Sequence, residues 1–295
     1  MTNNTKLLIY IPTYNRVERL KKCLKYLKKE LSAGVEVYIS NNGSTDGTAE
    51  YIDSLDWVTV SHNENNIGAK GNFYKAFQLE KKAGYVWLLG DDDYVVPGSI
   101  NGLLGLLDQG ADFIFCNTMA APLEDMTSTF EQLDRGQLPV GIIKGKLQGT
   151  YKTFFPDLLR PEIADTLLGE FMCLCFRQNA IKIPPIDSLE EIFPHTGVLI
   201  NSFHVKTPAI YCSDVRTVNF WGSQEWIKDY DYLFPTGMHY LATEYQHKYN
   251  LNLWPYYFKL LSQSLKRQAN GSSMAKPISA EVKADLFDKL ITILN

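Results

Sequence analysis

The feature that most constrains this chain is a succession of short, continuously apolar runs, each closing on a polar loop. They read KLLIYIP at 6–12, VEVYIS at 35–40, WVTVSH at 57–62, YVWLLG at 85–90 and ADFIFCN at 111–117. Runs of this length, rich in β-branched and aromatic residues, suit strands covered on both faces. Between them lie segments with helical spacing or helix-start residues: 16–30, 44–55, 71–83 and 98–109. Strand and helix in alternation predict an α/β fold with a mostly parallel sheet and helices on both faces. Ligands of such sheets bind beyond the carboxyl ends of the strands. PTYN, SNNGSTDGT, NENNIGAKGN and GDDD all follow strand ends, so four polar loops should share one rim.

Composition narrows the class. The chain has 295 residues, 45% of them hydrophobic and 21% charged, which is ordinary for a globular protein. A formal net charge of -4 gives no footprint for nucleic acid, and no nucleic-acid partner is expected. The lysines of RVERLKKCLKYLKKE form the wet face of an amphipathic helix, because Leu20, Leu24, Leu27 and Leu31 recur at helical spacing. Five cysteines, without a Cys-x-x-Cys pair, argue against a disulfide framework or a zinc site. Cys173 and Cys175 read as packing residues on one face of a strand. The apolar run near the N-terminus is too short for a signal peptide, and no run approaches a bilayer span. A cytoplasmic location is expected, with peripheral contact on the inner face of the membrane left open.

The loop GDDD sets three carboxylates side by side. Each raises the cost of ionising its neighbours. A divalent cation is one reason for such a cluster, since oxygen-rich sites suit Mg2+ or Mn2+. A solvated turn with one Asp capping the helix near Pro97 is the other.

Taken together, the four loops resemble those of the inverting family 2 glycosyltransferases, over about residues 6–219 and most strongly over 6–97. The first strand ends in Pro12, Thr13, Tyr14 and Asn15, and the second in NNGSTDGT where the family usually has Asp-Asp-Gly-Ser-Thr-Asp-Gly-Thr. NNIGAKGN and GDDDYVVPG match the family's later loops. The resemblance to abequosyltransferase-like members is weaker. It implies a GT-A, Rossmann-like fold and a metal-dependent transfer of a sugar from a nucleotide donor (UDP, CDP or dTDP) to a glycan or lipid-linked glycan. The implied cofactor is Mn2+ or Mg2+, held by Asp91 and Asp93, with Asp93 the direct ligand and Asp91 or Asp92 on ribose or a water. Pro12, Thr13, Tyr14 and Asn15 would line the nucleotide site, Tyr14 by stacking on the base.

Two departures from the family pattern carry expectations of their own. Asn41 and Asn42 replace Asp-Asp; both suit a turn, and Asn42 is expected to offer its amide to a base edge. Lys70 is either a point charge for the diphosphate or a solvated helix-start lysine. Where the family has its Glu-Asp base, this chain has Pro194 and His195. His195 is the expected general base, Glu190 and Glu191 are the runners-up, and His204 reads as a helix-surface residue. Failing all three, Asp125, Asp134 or Asp157 would serve.

Two rival functions remain. A sugar-1-phosphate nucleotidylyltransferase would need a Gly-rich basic signature that IPTYNRVERL lacks. A non-catalytic nucleotide-sugar or glycan-binding protein would need neither metal nor base. The expected organisation is a catalytic unit over 1–219 and a helical, aromatic-rich extension over 220–295. Residues 120–161 read as a long loop region. Trp254, Tyr256, Tyr257 and Phe258 with Lys259, Lys266 and Arg267 suggest either packing on the catalytic unit or contact with a membrane surface or partner subunit, and a homo-oligomer is left open.

Overall fold

The computed structural model describes residues 5–80, 83–163, 169–221, 230–269 and 284–285. Five strands answer the five apolar runs: β1 (Thr5–Thr13), β2 (Val35–Asn41), β3 (Thr59–His62), β4 (Ala83–Leu88) and, after the two-residue β5 (Tyr94–Val95), β6 (Phe113–Pro122). Helices α1 (Val17–Glu30), α2 (Thr48–Asp53), α3 (Gly68–Gln78) and α4 (Ser99–Leu107) connect them. β3, β2, β1 and β4 lie side by side and all parallel.

The continuous hydrophobicity of these runs follows from a core on each face. Leu7, Ile9 and Ile11 of β1 pack with Leu20, Leu24 and Leu27 of α1 on one side. Leu8 and Tyr10 pack with Tyr74 and Phe77 of α3 on the other. Burying each leucine or isoleucine contributes about 1.5–3 kcal/mol. Leu31 caps α1 instead of extending it.

Beyond β4 the sheet is mixed. The short β9 (Leu174–Arg177) lies antiparallel between β4 and β6. β6 then pairs in parallel with β10 (Pro208–Trp221), whose register shifts between Cys212 and Thr217. The region expected to be a long loop is more ordered than its composition suggested. β6 runs on to Pro122, α5 (Met126–Asp134) follows, and β7 (Ile142–Ile143) and β8 (Tyr151–Phe154) add antiparallel edges to β6 and β10. All five cysteines are buried thiols. Cys173 and Cys175 do not share a face, because Cys173 sits in a 3-10 turn and joins the α3 core whereas Cys175 joins the α1 core.

The boundary expected at 219/220 falls inside β10. Helix α6 (Pro194–Ser202), α7 (Tyr230–Tyr249) and α8 (Trp254–Ala269) pack into the α3-side core through Val198, Leu241, Tyr245, Trp254 and Tyr257. Trp254 and Tyr257, two of the aromatics on which a membrane contact of α8 depended, are therefore interior, and Tyr256 and Phe258 pack against the same core. The part of the expected extension beyond 269 lies outside the described residues except at 284–285. Among the described residues no helix is long and apolar enough to cross a membrane.

Candidate active site

The loops after β1, β2, β3 and β4 meet at one rim, and Asn15 ties the first two together. Asn15 sits at φ 52°, a left-handed turn position that asparagine tolerates. Its backbone N–H donates to Ser44 Oγ at 2.9 Å, and its Oδ1 accepts from Thr45 N at 2.7 Å. Pro12 pairs with Ser40 in the sheet, and Tyr14 stands 41% exposed on the rim, open to a stacking partner.

Asn41 and Asn42 turn inward. Asn42 is buried; its Nδ2 donates to Asn66 Oδ1 and Gly68 O, and its Oδ1 accepts from Asn63 Nδ2 and Ile67 N. That saturates a carboxamide. Asn42 thus holds the 63–68 loop against β2, and its amide is not presented to a base as expected. Asn41 acts similarly, with Nδ2 3.0 Å from His62 Nδ1 and Oδ1 accepting from Ser44 N.

The three carboxylates occupy the turn between β4 and β5. Gly90 makes the turn feasible: a Cβ there would lie 2.5 Å from Asp93 Oδ2 and 3.1 Å from Phe171 Cζ. Without that atom, Gly90 N donates to Asp93 Oδ2 at 2.8 Å. Asp91 is buried, accepting from Thr13 Oγ1 at 2.8 Å and pairing with Arg16 at 3.1 Å. Asp92 pairs with Arg16 at 3.2 Å and Arg19 at 3.3 Å. Among the described residues, no lysine or arginine forms an ion pair with Asp93. Burial, and then the charge of Asp92, lift the Asp91 carboxyl to about 6. Burial and Asp92 hold Asp93 well above the usual carboxylate range, with Glu170 and Asp91 adding to the effect.

Arg16 and Arg19 were missed in the sequence, where their segment read as a wet helical face. Cations near a helix N-terminus oppose its dipole. Two arginines at the very start of α1 were therefore a signal that something acidic lay opposite. Glu170 and its 3.3 Å partner Lys144 were also missed, because both lie in stretches without periodicity.

The candidate bases separate. His195 begins α6 but is only 2% exposed, enclosed by Phe73, Phe171 and Phe193. Its Nε2 lies 3.1 Å from Gly169 O, and its Nδ1 is buried without a protein partner among the described residues. Burial lowers its pKa to about 4. An imidazole so enclosed is neutral but closed to an incoming hydroxyl, which counts against His195 as general base. Glu190 lies near Tyr240 of α7, whose hydroxyl is pushed up to about 12 by burial, then by Glu244 and then by Glu190. Glu191 is exposed and meets Lys70 of α3 at 2.8 Å, tying the segment before α6 to α3. Lys70 is therefore mostly covered and has a carboxylate partner. The fallback aspartates do not converge here. Asp134 pairs with Lys25 and Lys29, Asp157 accepts from Thr153 and Phe154 N, and Asp125 precedes α5. His204 lies in the turn after α6, where its Nδ1 accepts from Lys206 N.

These residues are too few to hold a metal alone: among the described residues, no three His, Cys, Asp or Glu side chains cluster as a cation site. The oxygen-only triplet fits a different arrangement. Mg2+-type ions are often held by one or two carboxylates together with phosphate oxygens of a substrate. Asp93, a buried carboxylate in a negative field without a counter-cation, is the residue suited to that role.

Comparison with known proteins agrees with the fold. Residues 8–163 match the family described as Glycosyl transferase family 2. The chain is 34% identical over 116 residues to abequosyltransferase RfbV of Salmonella typhimurium, a match covering 36% of this chain and 34% of that protein. It is 22% identical to the GalNAc(5)-diNAcBac-PP-undecaprenol beta-1,3-glucosyltransferase of Campylobacter jejuni over 98% of this chain and 97% of that one. Among solved structures, S. aureus TarS 1-349 in complex with UDP superposes with a TM-score of 0.55 at 15% identity, over 89% of this chain and 71% of that one. The mannosyltransferase PcManGT from Pyrobaculum calidifontis, in complex with GDP-Man and Mn2+, gives 0.50 at 13% identity over 99% and 81%. With more than half its length matched by the family and a GT-A sheet ending in an acidic rim, the chain belongs to glycosyl transferase family 2 and is a glycosyltransferase.

Proposed function

We propose that this enzyme moves a sugar from a nucleotide-diphosphate donor to a hydroxyl of a glycan or lipid-linked glycan, with inversion, in bacterial surface-polysaccharide synthesis. The observation that carries this reading is Asp93, a buried carboxylate at the rim whose charge no neighbouring cation balances. The relative that aligns along nearly its whole length acts, by its name, on an undecaprenol-linked acceptor, and the solved neighbours hold UDP or GDP-Man with Mn2+. These support a nucleotide-sugar donor and a lipid-linked acceptor.

Tyr14 stacks on the base, with Thr13 and Asn15 shaping the floor beneath it. Asp91 and Asp92, neutralised in part by Arg16 and Arg19, hold the turn that carries Asp93. Asp93 would hold Mn2+ or Mg2+ together with the donor's phosphates; when bound, the ion supplies Lewis-acid stabilisation of the departing diphosphate. The acceptor hydroxyl attacks the anomeric carbon from the opposite side, and Glu191 takes its proton. Glu191 is the candidate base open to an incoming hydroxyl, held at the boundary of donor and acceptor sides by Lys70.

Donor turnover over a panel of UDP-, CDP-, dTDP- and GDP-sugars, with and without Mn2+, tests the reading. Mn2+-dependent release of one nucleoside diphosphate is expected. Turnover indifferent to Mn2+ and chelator would remove the metal, and none with any donor would remove the activity proposed.

A further inference from the structure

His195 takes no part in the proton transfer proposed above, yet it is a polar ring set into an apolar cage. The rings of Phe73, Phe171 and Phe193 lie 5.5, 5.9 and 6.2 Å from it, centroid to centroid. Burying an imidazole there is costly unless its polar atoms are matched. One of them is. A carbonyl only accepts, so the 3.1 Å contact with Gly169 O means that Nε2 carries the proton and donates it. Nδ1 remains a buried acceptor without a protein partner among the described residues.

The backbone that His195 holds begins the wall beside the acidic turn. Phe171 packs edge to face on Phe73 of α3 at 4.6 Å, and its Cζ lies 3.1 Å from where a Cβ of Gly90 would stand. Gly90 N in turn donates to Asp93 Oδ2. Between Gly169 and Phe171 stands Glu170, whose charge acts on Asp93 and whose carboxylate meets Lys144 at 3.3 Å. The far end of the wall is fastened to the sheet, where Trp87 Nε1 donates to Met172 O at 2.8 Å. Cys173 N closes the turn by donating to Glu170 O at 3.1 Å. At the near end, the bond from His195 ties Gly169 to the first turn of α6.

We propose that His195 is a positioning residue, whose Nε2–H fixes the 169–171 wall and so keeps Glu170 beside Asp93. Its purpose rests on the cation reading of Asp93 given above. A second carboxylate near the ion deepens the negative field there, and its pull falls with distance, so a wall that drifts outward binds the cation less tightly.

His195→Leu and His195→Gln separate the hydrogen bond from the bulk. Leucine suits the phenyl cage but has no donor, whereas the glutamine amide keeps one. In metal-free protein, hydrogen exchange of amides 170–173 should quicken by about tenfold in His195→Leu and stay near wild type in His195→Gln. Mn2+ is then titrated into protein with whichever of UDP, CDP, dTDP and GDP the wild type binds. Its affinity should fall by about tenfold in His195→Leu and recover in His195→Gln. Glu170→Gln should weaken Mn2+ similarly, and adding His195→Leu to it should cost little more, because the histidine acts through that carboxylate. Unchanged exchange or affinity in His195→Leu overturns the proposal, as do additive effects with Glu170→Gln or a glutamine variant as impaired as the leucine one. If both His195 variants lose turnover and one limb of its pH profile at unaltered Mn2+ affinity, the histidine is the base and the proposal falls. Nitrogen-15 spectra of the wild type give a test that needs no variant: the Nε2–H tautomer is expected, and an Nδ1–H tautomer overturns the anchor. A wild type that binds no Mn2+ with any of the four nucleotides would sink the cation reading, while tautomer and exchange still judge the anchor.

Discussion

Asp93 illustrates a residue kept at a cost to stability. Its charge lies buried beside Asp91 and Asp92, so Asp93→Asn should keep the Gly90 hydrogen bond and relieve the repulsion. The expected outcome is a melting temperature equal to or above wild type, with Mn2+-dependent turnover down by about 10²-fold or more; a calorimetric titration of Mn2+ with nucleoside diphosphate should lose its signal. Glu191→Gln should lower turnover by about 10²–10⁴-fold with little change in donor affinity. His195→Gln should not, since its amide can still donate to Gly169 O; if instead it collapses turnover while Glu191→Gln is near normal, the base is the histidine. The two titrations also oppose each other. His195, with a folded pKa near 4 against an ordinary value of about 6.5, costs stability as pH falls through that window, by about 3 kcal/mol when complete. Asp91, raised to about 6, does the reverse and costs a similar amount as pH rises from about 4 to 6. Asp93, also raised, adds to the Asp91 side, so denaturant melts in chelator should show wild-type stability falling as pH rises above about 4, and falling more steeply through 4–6 in His195→Gln, where the opposing imidazole is gone.

At the scale of elements, loops that look alike in sequence do different work. Tyr14→Ala should raise the donor KM by about 10–100-fold, as loss of one stacking platform does, without moving the melting temperature. Asn42→Ala should lower stability by about 1–2 kcal/mol, since it removes the four hydrogen bonds by which this buried amide pins the half-exposed 63–68 loop, and weaken donor binding only through the loosened loop. Equal melting temperatures for the two variants would refute that division. The sequence made the strands β1 to β4 and β6 legible because burial on both faces writes itself as uninterrupted hydrophobicity. It marked the rim because strand ends are followed by Asn, Asp and Gly. β7, β8 and β9 were harder, since two to four residues are too few for a period, and Cys173 changed faces because a turn breaks the alternation before β9. Asn42 was misread because composition does not tell an amide spent on its own loop from one offered to a ligand. The burial of His195 was not legible, because position in a motif says nothing about enclosure by Phe73, Phe171 and Phe193.

For the molecule as a whole, α7 and α8 complete the core. A chain ending at 221 would expose Val198, Leu199, Phe203 and Phe155, which now pack with Leu241, Tyr245, Tyr249 and Trp254. That truncation should yield aggregated protein without a cooperative melt; a soluble fragment with wild-type ellipticity would instead mark α7 and α8 as a separate unit. The placement of β9 has a consequence in time. β4 and β6 do not pair with each other; each pairs with β9, so about 50 residues must follow β6 before the two halves of the sheet can join. On the ribosome, the acidic turn and its arginines would be made early, yet the wall that Glu170 and Phe171 bring against them arrives only with the late strand. Closure of such distant contacts is slow and leaves apolar edges uncovered meanwhile. The nascent chain should therefore depend on chaperones until β9 and β10 have emerged, however stable the finished enzyme is.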